Sequence, residues 1–378
     1  MATINVQLLH LLRETLWGDG KKYFQSLNEK QKQQLCPEMM TAHLCCWCYR
    51  ALYDVLPETF RKPFHTSYLY RSGKVAQQQQ MKNELFALLE TNRIRFAPIK
   101  GADLAFELYP DPVLRYFCDL DILIHPEDCL RALEVLDQAH WQELSDKTQF
   151  PEHHHYTIRS KNHVALEPHK TLPQFDHVSA ETIWQHIHPV HPGNFQHRLE
   201  PELQLLLLVR HAANHCEESV YKLLLDAAHI LKNGSVSMEK LQQLVQKWEM
   251  PYPGHFLAAF PEFFPEDILK QARGSQEGAK LYRQLFEQSA GCARISQHHR
   301  VVSQKFWKKK WWQKRLQGLT PLTLRNKYHL PVRGTYIRLA AVFIYDLFIK
   351  TATFFRYLFI RNNSVKNYCN ISDKIDRL

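Results

Sequence analysis

Several signatures are missing from this chain, and each absence narrows what it does. Its first residues, MATINVQLLHLLRETL, carry no basic run ahead of a long apolar core. They are therefore not a Sec-type signal, and a cytoplasmic location is expected. The nine cysteines are scattered, with no two CxxC pairs at zinc-site spacing. Core thiols in a reducing compartment account for them, including the cluster Cys45, Cys46 and Cys48 in one helix-like segment. The most apolar stretch, Tyr336 to Ile360, is interrupted by Arg338, Asp346, Lys350 and Arg356. No window of about eighteen residues within it is free of charge, so a membrane-spanning helix is not expected. His211 and His215 stand four apart, but Glu218 is out of place for His-Glu-x-x-His, which removes zinc peptidase chemistry.

What is present is a chain of 378 residues, 45% hydrophobic, long enough for two or three domains with a real core. Its net charge of +10 is unevenly placed. From Arg294 to Leu378 there are 18 Lys and Arg against 3 Asp and Glu, a local charge of +15 that leaves −5 for the first 293 residues. The basic character thus belongs to the C-terminal part, which is where an anionic surface would be met. There KFWKKKWWQKRL (Lys305 to Leu316) interleaves Trp307, Trp311 and Trp312 with basic residues. A helix packed on the rest of the protein is the first reading of residues 305–361. An anionic membrane surface is the second, which would make the protein peripheral to a membrane, and nucleic acid is the third.

Taken in order, residues 1–92 read as an N-terminal helical region. Leu8, Leu9, Leu11 and Leu12 form an apolar face, Met39 to Val55 is one long apolar segment, and Lys74 to Thr91 is the clearest helix. Residues 93–198 read as an α+β core. A short extended run ends at Lys100-Gly101, a helix follows over Ala102 to Tyr109, and Pro110 and Pro112 stop it. A second extended run covers Cys118 to Ile124, and Pro126 to His140 is helical. His153 to Arg159 and His163 to Glu167 read as a hairpin around Ser160 to Asn162. His186, His188 and His191 fall in a Pro-rich stretch with no carboxylate close in sequence, which favours a connector over a metal site. Residues 199–293 read as a helical bundle that holds Asp226 among apolar residues, where it must be paired with His211, His215 or an Arg. Residues 294–378 read as a basic, aromatic-rich C-terminal helical region.

The chemistry concentrates between Pro98 and Ile124. Asp119 and Asp121 are two apart in an extended run, so both face the same way, about 7 Å apart along the strand. Two neighbouring carboxylates at the end of an apolar strand repel each other, and a divalent cation between them resolves the conflict. Glu167 is a third acid at a strand end. Gly101, at a helix start, has no side chain to block a phosphate from the backbone N–H groups. Carboxylates for metal and a helix start for phosphate are the set that metal-assisted phosphoryl or nucleotidyl transfer requires.

These residues resemble the bacterial uncharacterised nucleotidyltransferase family of the DNA polymerase beta-like superfamily. The likeness rests on Ile99-Lys100-Gly101, Tyr109-Pro110 and Arg115-Tyr-Phe-Cys-Asp119-Leu-Asp121, then on Ala165-Leu166-Glu167-Pro168-His169, where Pro168 is a departure. Leu205 to His215 and Leu224 to Asp226 extend it, and the superfamily's usual Gly-Ser is replaced by Lys100-Gly101. The resemblance implies a small mixed sheet flanked by helices, with helical regions at either end. It implies that Asp119, Asp121 and Glu167 are catalytic and bind magnesium, or manganese in its place. Lys100, Gly101 and Arg115 would contact the triphosphate of an NTP, ATP first among them. Attack on the α-phosphorus by an acceptor, a protein or a small molecule bearing a hydroxyl, would release pyrophosphate. Two alternatives stand beside this: kinase-like transfer of the terminal phosphate, and a catalytically inactive anion- or membrane-binding scaffold of the same fold.

Overall fold

The computed structural model describes residues 4–143, 158–214, 220–289 and 374–375. The basic C-terminal region with its expected membrane contact through 305–361, the histidines at 153–155, His215 and Glu218 lie outside the described residues.

Side-chain caps start the N-terminal helices. Asn5 accepts from the Gln7 and Leu8 amides at the head of α1 (Val6–Trp17), and Asp19 caps α2 (Gly20–Ser26). Asn28 and Gln31 form a reciprocal capping box on α3 (Glu29–Thr41). The single apolar segment expected over Met39 to Val55 is broken. His43 takes a left-handed φ of 59°, which ends α3 and redirects the chain into α4 (Cys45–Leu52). The next helix, α5 (Glu58–Thr91), is far longer than the Lys74 to Thr91 expected. Pro63 lies in its second turn, where its missing N–H forfeits one hydrogen bond without ending the helix.

The α+β core follows as β1 (Phe96–Pro98), α6 (Lys100–Glu107), β2 (Asp119–Ile124), α7 (Cys129–Gln138), β3 (Gln142–Glu143), β4 (Arg159–Lys161) and β5 (Val164–His169). The strands form one small mixed sheet in the order β1-β2-β5-β4-β3. Only β2 and β5 are parallel; the other pairings are antiparallel. The hairpin expected here forms with a shifted turn. Lys161 pairs with Val164, so the loop is Asn162-His163, with φ of 51° and 62°. A two-residue turn of this hand needs positive φ at both central residues, which Asn tolerates better than Ser160 would. His163 is thereby in the turn, and β5 runs on past Glu167 to His169.

The connector expected around residues 171–198 contains α8 (Ala180–Trp184) and a two-stranded sheet of β6 (Ile187–Pro189) and β7 (His197–Leu199). Helices α9 (Pro201–Asn214), α10 (Val220–Asn233), α11 (Met238–Lys247), α12 (Pro253–Ala258), α13 (Glu266–Ala272) and α14 (Gln276–Ser289) complete the described chain.

Strand alternation gives the five-stranded sheet two different faces. On one, Leu120, Ile122, Ile124, Val164 and Leu166 pack with Met81, Leu85 and Leu89 of α5 and Leu136 of α7. On the other, Leu123 and Ile99 join a larger apolar cluster that includes Leu8 and Leu12 of α1, Trp47 of α4 and Leu224 of α10. The N-terminal helices and the C-terminal bundle therefore share one core, and the second sheet face looks towards it. Among the described residues no helix is long and apolar enough to cross a membrane.

Candidate functional site

Parallel pairing of β2 with β5 builds the site. Asp121 stands directly opposite Glu167, and Leu123 opposite His169. Asp119 and Asp121 share a face of β2, and Glu167 and His169 share the matching face of β5. Neighbouring strands lie about 4.8 Å apart, so these four side chains converge. The ligand-capable atoms of Asp121, Glu167 and His169 all lie within 4.8 Å of one another. His169 Nε2 is 2.8 Å from Asp121 Oδ1 and 3.8 Å from Glu167 Oε2.

Lys100 completes the constellation from the head of α6, donating from Nζ to Asp121 Oδ1 at 2.9 Å. Its φ of 51° is left-handed, a conformation costing a non-glycine residue roughly 1–2 kcal/mol. Such strain concentrates where a side chain must be aimed. Ile99, before it, makes no side-chain cap, so the first-turn amides of α6 keep the unsatisfied donors common to helix starts.

Electrostatics separate the three acids. Burial alone would raise the Asp121 carboxyl, but the Lys100 ammonium and the His169 imidazole overcome it and hold Asp121 below the usual carboxylate range. Glu167 moves the other way, pushed up to about 7 by burial and then by Asp121 and Asp119. Asp119 rises to about 6 through burial and the charge on Asp121. Two desolvated acids that resist ionising beside a third that is ionised fit a position for a divalent cation. The oxygen-rich donor set with one imidazole suits magnesium or manganese.

Asp121 and Glu167 stand in that cluster as the sequence suggests, and Asp119 flanks it on the same strand face. His169 is the member that sequence reasoning missed. The signal was present: once Glu167 is placed on a strand, His169 two residues on must share its face.

Arg115 lines the same cleft, with its guanidinium tied to the helical bundle. It is 6% exposed, and its Nε and Nη2 donate to Asp226 Oδ1 and Oδ2 at 3.2 and 2.8 Å. Nη1 donates to the Tyr116 carbonyl at 3.1 Å. The Tyr109 hydroxyl also donates to Asp226 Oδ1, at 2.8 Å. Asp226, fully buried on α10, is thus paired with an Arg as its burial required. Gly101 is where this anchor meets the site. A Cβ there would come within 2.5 Å of Arg115 Nη1 and 2.6 Å of Phe117 Cβ. The glycine lets Arg115 and Phe117 approach the helix start, a tertiary reason beyond the phosphate access inferred from sequence.

Lys100, Gly101, Arg115, Asp119, Asp121 and Glu167 all line one open cleft of about 590 Å³, whose far wall includes Leu207 and His211 of α9 and Lys222 of α10. That volume suits a small molecule or cofactor. By contrast, His186 and His188 gain a carboxylate that sequence distance hid. Both bond Glu200, at 2.9 and 2.7 Å, and Lys240 reaches the same carboxylate at 3.1 Å. An ammonium already neutralises Glu200, which makes this cluster a structural ion network.

No curated protein and no solved structure matches the chain. The model of one family, described as uncharacterised nucleotidyltransferase, matches residues 38–260, more than half of the chain, and spans α4 through α12 together with every residue that lines the cleft. The chain therefore belongs to the uncharacterised nucleotidyltransferase family and is a nucleotidyltransferase.

Proposed function

We propose that the protein moves a nucleoside monophosphate from an NTP, ATP first among them, to a hydroxyl on a small-molecule or protein acceptor, with pyrophosphate leaving. The observation that carries this is the convergence of Asp121, Glu167 and His169 beside Lys100 at the floor of an open cleft. A core of the polymerase beta-like type is the corresponding fold assignment, supported by the parallel β2–β5 pair that carries the acids.

Asp121, Glu167 and His169 would hold the divalent cation, with Asp119 beside them. Bound there, the ion would supply charge to the phosphate oxygens that gain it during transfer. Lys100 brings its ammonium to the donor phosphates, and the uncapped first turn of α6 offers backbone N–H groups to the same oxygens. Glu167, half-buried and reluctant to ionise, is placed to receive the acceptor's proton as its oxygen attacks the α-phosphorus. The bond to the β-phosphate then breaks and pyrophosphate carries away the electron pair. Arg115 acts as a positioning residue: it ties the segment before β2 to α10 and keeps Phe117 against Gly101.

The test is NTP turnover with product mass. Wild type with Mg²⁺ should consume an NTP and release pyrophosphate, and Asp121→Asn should lose at least a hundredfold of that rate. A product heavier by a bare phosphate would replace nucleotidyl transfer with kinase-like transfer. Failure of wild type to bind both Mg²⁺ and every NTP by calorimetry would end the enzymatic reading.

A further inference from the structure

A second cavity, of about 380 Å³, lies behind the segment that leads into β2. It opens between the α3–α4 junction and α5, and shares His43, Tyr116, Phe117 and Cys118 with the catalytic cleft as a common wall. Its chemistry is the reverse of the cleft's. Among the described residues that line it there is no Asp or Glu, whereas Arg71, Lys74, Gln77 and Gln78 of α5 all face it. Arg71, Lys74 and Gln78 recur at helical spacing, so one face of α5 presents them together.

Arg71 is the unusual member. It is 7% exposed, and among the described residues no carboxylate forms an ion pair or a hydrogen bond with it. Burial pushes its guanidinium down from the usual value. Its Nη2 donates to the Arg115 carbonyl at 3.3 Å, and its guanidinium lies 4.9 Å from the Tyr116 ring and 5.0 Å from the Phe117 ring. Its Nε, fully buried, donates to nothing. A guanidinium is charged at every physiological pH, and a buried charge is normally matched by an opposite one. One carbonyl and two ring faces do not supply a full negative charge. Gln78 repeats the pattern more mildly, donating to the Phe117 carbonyl at 3.3 Å while its buried Oε1 accepts nothing.

We propose that this second cavity binds an oxyanion of the acceptor substrate, a phosphate monoester or a carboxylate, with Arg71 as its anchor and Lys74 at its mouth. The oxyanion itself follows from the cavity; its place on the acceptor rests on the nucleotidyl-transfer reading. In that reading the donor phosphates belong to Lys100 and α6 in the other cleft. The shared wall ends at Cys118, and strand rise puts Asp121 about 10 Å further along. An acceptor anchored at Arg71 that spans about this length across Cys118 delivers a hydroxyl to the acids. A phosphorylated sugar or a short molecule ending in a carboxylate has that reach.

The test titrates the full chain with inorganic phosphate and separately with acetate, without metal or NTP, by calorimetry. Wild type should bind one of them saturably. Arg71→Met should weaken that binding at least tenfold. Lys74→Glu, at an exposed position that the fold does not need, should weaken it several-fold and decides the matter if Arg71→Met does not fold. Asp121→Asn should leave it unchanged, which separates this site from the catalytic one. No saturable binding by wild type to either anion, or binding indifferent to Lys74→Glu and Arg71→Met, overturns the proposal. Tighter binding of phosphate than acetate assigns a phosphate monoester, and the reverse a carboxylate. A non-hydrolysable ATP analogue with Mg²⁺ should leave the anion bound; displacement would give the site to the donor and overturn the acceptor assignment. Because the anion titration contains no NTP, it stands or falls independently of the turnover test on Asp121.

Discussion

The buried Arg115–Asp226 pair offers the sharpest test of how the helical bundle supports the site. Both side chains are out of solvent, the carboxylate entirely, and two N–H···O bonds join them. Asp226→Ala takes from a buried guanidinium the carboxylate that makes two bonds to it, a loss of roughly 3–5 kcal/mol. It also removes the acceptor of the Tyr109 hydroxyl, adding about 1 kcal/mol. Spread over a fold of this size, the sum lowers the melting temperature by roughly 5–8 °C. Replacing both partners by apolar residues, Arg115→Met with Asp226→Leu, removes the stranded charge and should recover most of the loss. Urea unfolding followed by tryptophan fluorescence and far-UV circular dichroism gives the stabilities of wild type, Asp226→Ala and the double variant. A loss under about 1 kcal/mol in Asp226→Ala would refute the reasoning, because removing one member of a buried, doubly bonded ion pair is costly. The double variant also separates two roles for Arg115. As a positioning residue it should leave NTP affinity within about threefold of wild type once the fold is restored, under 1 kcal/mol of binding energy. A loss beyond about tenfold would show that its guanidinium touches the triphosphate.

Other outcomes follow from single residues. Gly101→Ala places a Cβ 2.6 Å from Phe117 Cβ, so it should cost about 1–3 kcal/mol by thermal unfolding and weaken NTP binding with it. Asp103, buried on α6 near Arg198, Lys82, Glu107 and Gln204, is raised by burial to about 7. Unfolded Asp ionises near 3.9, so between these values the native state binds the extra proton and stability falls as pH rises, by at most about 1.4 kcal/mol per pH unit. Above about 7 this contribution is level, and Asp103→Asn should abolish the slope; identical pH profiles for the two proteins would count against it. Among the described cysteines only Cys118 is exposed, while burial pushes Cys36 up to about 12 and Cys46 to about 11. Thiol labelling of the native protein mapped by peptide mass should therefore mark Cys118 ahead of Cys36, Cys45, Cys46, Cys48 and Cys129, and an adduct there should block turnover beside Asp119.

Much of the core was legible because local rules governed it. Strand alternation put Asp119 and Asp121 on one face, and an apolar run bounded by prolines and a turn defined β2. Elsewhere a local rule was overruled. The apolar run from Met39 to Val55 carries no Gly to announce a break, yet His43 turns left-handed within it. Pro63 disfavours a helix interior by local rule but sits in the second turn of a long helix. Glu200 was invisible to His186 and His188 because the pairing of β6 with β7, not sequence proximity, brings it back.

By itself the sequence determined the carboxylate pair, the third acid and the glycine at a helix start, since each depends on a spacing of a few residues. It also required a partner for Asp226, because an isolated charge cannot be buried. Only the tertiary structure decided which groups meet. The parallel register of β2 on β5 sets Asp121 opposite Glu167 and brings His169 into the cluster. The approach of α10 claims Arg115 for Asp226, and α5 buries Arg71 against the far side of the same segment. Those contacts join residues separated by tens to more than a hundred positions, and the free energy that selects them comes from a core that the N-terminal helices, the sheet and the helical bundle share.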